Sequence, residues 1–501
     1  MRRYAAVTGV TVVTAAVFML PGLLAGPALD PAAFLLDGKL MAGGVVPYLG
    51  FWDHKMPGIF AINAIAPWLL SGVSPWDAIW ALSVAAAALT GLAAYDIAAR
   101  AGLGRASWFA AVGTTAGLSI YAVSGGGGMS ELFAVLPAAW ALAIAFRRPS
   151  GPVALAALGF LTACSVLISL QLLSAAVAVA FVILRGGISR RGRSILIGIG
   201  AFLLPLAGVS AVLVIGGSAP DFVDQILRYS GPYRAALFRS GNVFLVASIA
   251  TAVLTLIGLV GPAFESFIAW RRHSPGEKDL VTGSAVWIAA GIALIVVQGR
   301  FYPHYGASLI PALGVLGAVG SRDLWRLASQ GPAPRSVVIG LGACLAIITV
   351  AIGVLRPLEL IAGQARLTER TQAVARLVRN SSKPSDTIFV WANNPYLYLL
   401  ADRRPASRYI YLLPLMTPGY STPAMVDALV REFSADPPRL IIDAGSPQPG
   451  EPGDLALLIP RPLKVDDGRD LDLLDPLREF VRQRYRLLGT STGWPIYVLV
   501  N

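Results

Sequence analysis

Long apolar segments separated by short polar ones dominate the chain up to about residue 356. A helix needs about 20 apolar residues to cross the hydrocarbon core of a bilayer. The pattern therefore predicts a polytopic α-helical membrane protein. Eleven spans are expected, at residues 4–26, 76–98, 107–123, 131–146, 152–168, 170–184, 195–216, 243–264, 282–298, 304–321 and 335–355.

From residue 357 onward, short apolar strands alternate with amphipathic helices, which is typical of a small α/β domain. We expect a transmembrane domain at residues 1–356 and an α/β domain at residues 357–501. The predicted strands are Asp386–Trp391, Arg439–Asp443 and Trp494–Val500. The predicted helices are Pro357–Arg379, Tyr396–Leu400, Ala424–Phe433 and Leu473–Tyr485.

The composition supports a membrane protein. Only 14% of the 501 residues are charged and 55% are hydrophobic, whereas a soluble domain has about a quarter charged residues. The net charge of +12 does not indicate nucleic-acid binding, because Lys and Arg collect in the cytoplasmic loops of membrane proteins. The basic residues form six clusters: Arg2/Arg3, Arg100/Arg105, Arg147/Arg148, Arg185/Arg190/Arg191/Arg193, Arg271/Arg272 and Arg322/Arg326/Arg335.

These clusters predict the orientation of the chain in a cell membrane. Placing all of them in the cytoplasm requires an even number of spans between neighbours, which divides the stretch between Arg148 and Arg185 into two spans. The amino terminus is then cytoplasmic, and the loop at 27–75 and the α/β domain are extracytoplasmic. The first apolar run also resembles a signal peptide with a cleavage site near Ala25–Ala28, but we favour an uncleaved span because many spans follow.

The outer loop contains an unusual concentration of charge. The stretch Leu29–Pro57 includes three aspartates, two lysines and a histidine in a chain otherwise poor in charge. The next segment, Pro57–Leu70, is too short to span comfortably, and we expect an interfacial helix with Phe60 and Trp68 at headgroup level. The amphipathic segment Phe222–Arg239 is expected to occupy a similar place in another outer loop.

Almost no ionisable residues lie inside the predicted spans. Ion-coupled transporters and proton relays need charged groups at mid-membrane depth, so the sequence favours an active site at the outer interface. If the donor there is a polyprenyl-phosphate sugar, a carboxylate must take the acceptor's proton and cations must stabilise the phosphate leaving group. Asp30 is placed to be the base, and Lys55 and Arg300 are the outer cations nearest the membrane, with His304 and Tyr305 close behind Arg300.

Each of these residues also has a simpler interpretation. Asp30 before Pro31 is a good helix N-cap, and Lys55 is equally suited to snorkel from an interfacial helix. Glu131 follows a glycine-rich turn and opens a span, where it would stabilise the helix dipole. His304 would serve as an interfacial histidine with its hydrogen bonds satisfied.

The other two aspartates of the loop are expected to have separate roles. Asp37 is interpreted as part of a solvated helix face. Asp53 is expected to orient the turn formed by His54 and Lys55.

Five stretches together resemble the bacterial GT-C glycosyltransferases, a class similar to the dolichyl-phosphate-mannose–protein mannosyltransferases and the lipid A sugar transferases. The most specific are G-x-x-P-Y at Gly44–Tyr48, W-D-H-K-x-P-G at Trp52–Gly58, and the segment Gly299–Tyr305. Two further stretches, a glycine-rich turn before Glu131 and Asp386–Tyr409, also resemble the family and occur in the same order along the chain. The resemblance covers most of the chain.

The resemblance implies an inverting transfer of a hexosyl or pentosyl group from a polyprenyl-phosphate sugar to a hydroxyl of an envelope glycan, lipid or protein. It assigns the base to Asp30 and the donor phosphate contacts to Lys55, Arg300 and His304, with Tyr305 shaping that pocket. Substrate positioning falls to Tyr48, Asp53, His54 and Glu131. No His/Asp/Glu cluster has the spacing of metal ligands, so no metal or other cofactor is expected.

Three departures from the family pattern keep other functions open. Many relatives have Asp-Glu where this chain has Asp30-Pro31, and an aspartate where it has Gly50. Relatives often have a lysine near the sixth span, whereas the corresponding stretch of this chain, Leu167–Gln171, has none. The alternatives are a flippase or transporter of lipid-linked saccharides, and a non-catalytic envelope-assembly protein with the same fold.

Overall fold

The structure of the protein is a computed structural model that describes residues 2–147, 151–185, 192–239, 257–299, 301–329, 336, 358–445, 457–458 and 472–500. Apart from residue 336, the predicted span at 335–355 lies outside this part of the chain, as do residues 243–256 of the predicted span at 243–264. The predicted site residue Arg300 also lies outside it.

Helices make up most of the described chain. The α-helices are α1 (Arg2–Ala25), α2 (Leu29–Ala42), α3 (Pro57–Leu69), α4 (Pro75–Arg100), α5 (Ser107–Ser119), α6 (Tyr121–Ser124), α7 (Ser130–Phe146), α8 (Pro152–Ile168), α9 (Leu173–Arg185), α10 (Gly192–Ile215), α11 (Ala219–Val223), α12 (Ser230–Arg239), α13 (Ile257–Ile268), α14 (Pro275–Gln298), α15 (Ile310–Ala328), α16 (358–380), α17 (Tyr396–Ala401), α18 (Leu413–Met416), α19 (Pro423–Ala435) and α20 (Asp475–Arg484). Short 3₁₀ helices lie at Gly104–Ala106, Leu170–Leu172, Ala269–Arg272, Pro303–Leu309 and Asp472–Leu474, and a π-helix lies at Asp224–Arg228.

The predicted spans coincide with apolar helices wherever the structure describes them. Within the described residues, four helices are long and apolar enough to cross a membrane, namely α1, α4, residues Ile195–Ile215 of α10, and α14. Three predicted spans are interrupted at one end, and one of them, the span at 170–184, begins as a 3₁₀ helix at Leu170–Leu172. The span at 107–123 breaks at Ile120, whose extended backbone separates α5 from α6, and the span at 304–321 begins as a 3₁₀ helix before α15. The total of eleven crossings stays a prediction.

The helix predicted at Pro57–Leu70 is present as α3, but one of its two aromatic residues is placed differently from the prediction. Trp68 is 78% exposed, as a headgroup-level side chain would be, whereas Phe60 is fully buried. The Phe60 ring packs edge-on against Tyr48 and Phe51, with centroids 5.8 and 5.2 Å away. The apolar face of α3 therefore covers the outer loop, and the prediction for Phe60 was wrong.

The carboxyl-terminal region contains a five-stranded sheet with strand order β2-β1-β3-β5-β4. Its strands are β1 (Thr387–Val390), β2 (Arg404–Pro405), β3 (Leu440–Ile442), β4 (Tyr485–Ser491) and β5 (Trp494–Leu499). β1 pairs parallel with β2 and β3, whereas β5 runs antiparallel to β3 and β4.

The strand β4 was missed because residues 473–485 were interpreted as a continuous helix. The helix ends at Arg484, and the chain then forms a hairpin with β5. Thr492 and Gly493 at its tip both have positive φ angles, 54° and 89°. A two-residue turn with positive φ matches the right-handed twist of antiparallel strands, so the Thr-Gly pair before Trp494 was the available sequence signal.

Two contacts fix the start of α2 relative to the rest of the molecule. Helix α16 reaches back to the α1–α2 connection, where Gln364 Nε2 donates to the carbonyl of Pro27 at 2.7 Å and Thr368 Oγ1 donates to that of Ala25 at 2.7 Å. On the other side, Gly22 of α1 packs on Gly126, and a Cβ on Gly22 would lie 2.2 Å from the Gly126 Cα. Close backbone approach therefore brings the glycine-rich turn and α7 next to α2.

The backbones of α13 and α15 also lie very close together at Gly320. We therefore expect Gly320→Ala to lower the stability of the protein. A Cβ on Gly320 would lie 1.7 Å from the carbonyl oxygen of Pro262. Because small residues let membrane helices approach, the variant should lose about 1–3 kcal/mol of stability through overpacking. The thermal unfolding midpoint of the purified protein in detergent measures this loss.

The matched control is Gly208→Ala in α10, where nothing lies within 4 Å of an added Cβ. Alanine there should be neutral or stabilise the helix by up to about 1 kcal/mol. An equal fall in the midpoint for both variants would contradict the packing argument.

Candidate active site

The ammonium group of Lys55 lies between two carboxylates that come from different helices. Its Nζ is 3.9 Å from Asp30 Oδ2 and 3.8 Å from Glu131 Oε1. The side chain of Lys55 is only 11% exposed, that of Asp30 is 34% exposed, and that of Glu131 is 2% exposed. The structure thus brings together three residues predicted separately from the sequence.

Asp30 lies in the first turn of α2, but it is not the N-cap. That position belongs to Ala28, which makes no side-chain capping bond. The N-cap interpretation of Asp30 was therefore wrong, although a carboxylate in the first turn still interacts favourably with the helix dipole. Pro31 packs against the glycine-rich turn, where a Cβ on Gly128 would lie 2.8 Å from the Pro31 Cβ.

Glu131 lies in the first turn of α7, so its dipole interpretation and its contact with Lys55 are both compatible with the structure. Its carboxylate accepts hydrogen bonds from Ser130 Oγ at 3.0 Å and Ser169 Oγ at 3.4 Å. A buried carboxylate needs such partners because an unpaired charge is costly away from water. The two serines and Lys55 therefore hold Glu131 in one orientation.

The turn that carries Lys55 is fixed by its neighbours. Asp53 Oδ1 accepts a hydrogen bond from the Lys55 N–H at 2.9 Å and lies 3.9 Å from His54 Nδ1. The hydroxyl of Tyr48 donates to the Lys55 carbonyl at 2.8 Å. Tyr48 itself has a φ of +68°, an unusual conformation for a bulky residue that the surrounding structure must hold in place.

Two residues that support this turn were missed by sequence reasoning. Gln225, fully buried in the π-helix, donates to the Tyr48 carbonyl at 2.7 Å and accepts from the Asp53 N–H at 3.0 Å. Arg408 donates to the same Tyr48 carbonyl at 2.7 Å, and its own carbonyl accepts from the Trp52 N–H at 2.8 Å. Neither side chain has a local sequence signal, since both act through backbone groups far away in the chain.

The segment after Arg300 forms another wall of the site. The rings of Tyr302 and His304 stack with centroids 5.5 Å apart, and His304 lies edge-on to Tyr305 at 4.5 Å. Lys55 Nζ lies 5.5 Å from the centre of the Tyr305 ring. Gln171, from the stretch where relatives often have a lysine, donates to the Tyr305 carbonyl at 2.9 Å and so positions this wall.

Two cavities meet at His54 and Lys55, which line both. The larger has a volume of about 370 Å³ and extends past Glu131 and Tyr305 between α8, the π-helix and the end of α14. The smaller, of about 20 Å³, contains Asp30 and Asp53 and is closed by Tyr411 and Leu413 of the carboxyl-terminal region. The two carboxylates beside Lys55 therefore face different spaces.

Asp37 contradicts its prediction as a solvated residue, because it is fully buried. Burial and the nearby charge of Asp53 raise the pKa of Asp37 well above the usual range for a carboxyl group. Burial likewise raises the pKa of Asp53 to about 6, although the charge of Lys55 opposes this rise. The apolar run Phe34–Leu36 directly before Asp37 was the overlooked signal of burial.

At the level of sequence, no known protein family and no curated protein matches the chain. In structure, the chain is similar to ArnT from Cupriavidus metallidurans bound to undecaprenyl phosphate, with a TM-score of 0.60, 12% identity, and 98% of this chain and 97% of that chain covered. The apo state of the same protein gives a TM-score of 0.57, 13% identity and coverages of 99% and 98%. The apo oligosaccharyltransferase of Archaeoglobus fulgidus gives a TM-score of 0.50, 12% identity and coverages of 88% and 69%. These similarities confirm the GT-C fold that the sequence motifs predicted.

The buried pair of aspartates predicts a pH-dependent effect of Asp37→Asn. Because burial raises the pKa of Asp53 from 3.8 to about 6, the folded protein binds protons that the unfolded chain releases, and stability falls as the pH rises through this window. Asparagine at position 37 removes one of the two acids. The free energy of unfolding should therefore exceed that of wild type at about pH 8 by on the order of 1 kcal/mol, seen as a higher thermal midpoint, and this advantage should vanish at about pH 4.

Asp436→Asn supplies the control, because Asp436 is exposed and distant in sequence from the pair. Its midpoint should follow wild type at every pH. A difference between Asp37→Asn and wild type that stays constant between the two pH values would contradict the raised pKa.

Proposed function

We propose that the protein is an integral-membrane inverting glycosyltransferase that moves a sugar from a polyprenyl-phosphate donor to an acceptor hydroxyl at the outer face of a cell membrane. The observation that carries the proposal is the position of Lys55 between Asp30 and Glu131, where the two cavities meet. The GT-C fold supports it, and so does the undecaprenyl phosphate bound to the structurally similar ArnT.

The larger cavity suits a lipid-borne donor because its rim is apolar and exposed. Leu170 is 40% exposed, Leu227 is 62% exposed and Val297 is 63% exposed. These side chains would contact an isoprenoid chain, since burying apolar surface is favourable. The cationic end of the cavity contains Lys55 and, nearer the mouth, Arg234, whose Nη1 donates to the Val297 carbonyl at 2.7 Å.

A phosphate at this end of the cavity would be stabilised by charge-assisted hydrogen bonds, for which Lys and Arg are the usual donors. Lys55 is the central contact in the proposal. His304 and Tyr305 shape the pocket from the segment that follows Arg300, and Arg300 is proposed as a further phosphate contact. Tyr48, Asp53 and His54 position the lysine, while Glu131 orients its ammonium group.

Asp30 is proposed as the general base because it is the more accessible carboxylate. Among the described residues, no hydrogen bond reaches either of its carboxylate oxygens, whereas Glu131 is buried and held by two serines. A general base must approach the proton that it removes, either directly or through one water. The partly exposed Asp30 meets this requirement from the smaller cavity.

The proposed reaction is a single displacement at the anomeric carbon of the donor sugar. The Asp30 carboxylate takes the proton of the acceptor hydroxyl while that oxygen bonds to the anomeric carbon. The bond between the anomeric carbon and the phosphate oxygen breaks on the opposite face, and its electron pair goes to the polyprenyl phosphate. Because the leaving group is already a stable anion, nearby cations suffice and a general acid is not needed.

The carboxyl-terminal region is proposed to help select the acceptor. Tyr411 and Leu413 close the cavity that contains Asp30. Trp52 of the outer loop donates from its indole nitrogen to the Tyr420 hydroxyl at 3.0 Å, so this region is anchored to the first loop. A change in its surface would alter the space next to the base without touching the donor cavity.

Asp30→Asn is expected to lower transfer by at least about 10³-fold, because asparagine cannot accept the hydroxyl proton, while donor binding changes little. The assay offers labelled polyprenyl-phosphate sugars and candidate acceptors to the purified protein and measures transfer and donor binding separately. Asp77→Asn, at an exposed position in the first turn of α4, is the matched control and should retain wild-type turnover. Wild-type turnover by Asp30→Asn would exclude it as the base.

Lys55→Met is expected to weaken donor binding by about 10–100-fold, which corresponds to one lost charge-assisted contact of about 1.5–3 kcal/mol. The variant also leaves the buried Glu131 without its cation, so Lys55→Met/Glu131→Gln tests the same loss with charge balance restored. Lys39→Met is the control, because Lys39 is 54% exposed and pairs with Asp402 on the surface. Unchanged donor affinity in the double variant would contradict the phosphate role.

The same assay separates the alternative functions. Transbilayer movement of the labelled donor without cleavage would identify a flippase or transporter. Absence of both transfer and movement, with every candidate acceptor, would favour a non-catalytic protein with the GT-C fold.

A further inference from the structure

Apart from the two joined cavities at Lys55, a second and separate cavity lies at the opposite end of the helices that form the candidate active site. Helix α7 has Glu131 in its first turn at the site and ends with Phe146 at this cavity, and α14 runs the other way, from Pro275 at the cavity to Gln298 at the site. The 17 residues of α7 span roughly 25 Å at 1.5 Å per residue. The two cavities therefore lie near opposite surfaces of the apolar bundle.

The second cavity is large and one side of it is apolar. Its volume is about 430 Å³. Its apolar lining comes from the ends of α4, α7 and α9 and the first turns of α14, and includes Ile97, Phe146, Phe181, Val182 and Leu280. Leu184, beside the cavity at the end of α9, is 77% exposed, as a side chain facing lipid would be.

Two arginines line the same cavity, and each is anchored by only one of its nitrogens. Arg100 Nε contacts both carboxylate oxygens of Asp96 at 3.0 Å, and Arg185 Nε lies 2.9 Å from Asp279 Oδ1. Among the described residues, the terminal Nη atoms of Arg100 and Arg185 make no hydrogen bond. The arginine side chains are 55% and 46% exposed. Anchored guanidinium groups with free terminal N–H groups are preorganised for bidentate contact with a phosphate.

The acidic groups around the cavity are already neutralised. Asp96 also accepts from Arg147 Nη2 at 2.7 Å, and Glu277 at the start of α14 pairs with Arg322. Asp279 is paired with Arg185. These pairs reduce the repulsion that an incoming anion would meet, and the dipole of α14 favours negative charge at its first turn.

We propose that this cavity binds the phosphate of a lipid headgroup from the leaflet opposite the active site, with Arg100 and Arg185 contacting the phosphate and the apolar wall contacting the lipid chains. The combination decides the ligand class: the guanidinium groups select phosphate, and the apolar lining selects a lipid over a soluble phosphate. This proposal does not depend on the glycosyltransferase reaction.

The test uses full-length purified protein in detergent and measures saturable binding of short-chain phosphatidylglycerol by native mass spectrometry. Diacylglycerol of the same chain length lacks the phosphate, and inorganic phosphate lacks the chains. We expect phosphatidylglycerol to bind at least about 10-fold more tightly than either, because each alternative loses one of the two kinds of contact. Equal binding of diacylglycerol would overturn the phosphate contact, and equal binding of inorganic phosphate would overturn the lipid ligand.

Variants then locate the site. Arg100→Gln/Arg185→Gln should lose at least about 10-fold in affinity for phosphatidylglycerol. Arg105→Gln/Arg326→Gln removes the same number of charges from two exposed arginines that do not line the cavity, and should bind as wild type does. An equal loss in both proteins would indicate nonspecific electrostatic attraction and overturn the site.

A second pair of variants tests the cavity without removing an arginine. Gly276 lines the cavity in the first turn of α14, and nothing lies within 4 Å of an added Cβ. Gly276→Glu places a carboxylate where the helix dipole favours it, so folding should be preserved while the phosphate is repelled. Gly276→Gln has nearly the same shape without the charge. Weaker binding in the glutamate variant alone supports the proposal, and identical binding in both variants contradicts it.

Discussion

The ammonium group of Lys55 between Asp30 and Glu131 is the interaction on which the candidate active site depends. A charge with so little exposure is tolerated only when opposite charges and hydrogen bonds compensate for its lost hydration. The two carboxylates come from the first turns of α2 and α7, so satisfying Lys55 requires both helix ends to reach the same point. The electrostatic requirement of one side chain thus constrains the placement of two helices and of the loop between them.

The loop that carries Lys55 has little regular structure of its own, and its conformation is held from outside. Gln225 of the π-helix and Arg408 of the carboxyl-terminal region both donate to the carbonyl of Tyr48, the residue with a positive φ angle. Trp52 adds ring contacts to Tyr229 and Tyr420, with centroids 4.7 and 5.9 Å away. Because these supports come from two distant parts of the chain, the geometry of the site depends on how those parts pack against the loop.

Asp30 and Glu131 have different roles in the proposed reaction. Asp30 is partly exposed in a small cavity next to the carboxyl-terminal region, whereas Glu131 is buried beside a larger cavity with an apolar rim. Two carboxylates at similar distances from one cation therefore have different accessibility, and accessibility is what separates a base from a residue that only orients its neighbour. In the same region, Pro31 fills the space over Gly128.

The sequence by itself determined the apolar helices, the change to alternating strands and helices after residue 356, and the short motifs that predicted the GT-C fold, because hydropathy, strand alternation and local motifs are properties of neighbouring residues. It also singled out Asp30, Lys55 and Glu131 as individual candidates. Only the tertiary structure decided that these three meet, that Asp37 and Phe60 are buried, and that Gln225 and Arg408 hold the Tyr48 turn. Burial and long-range hydrogen bonds depend on which surfaces pack together, and that information is not present in the periodicity of any single segment.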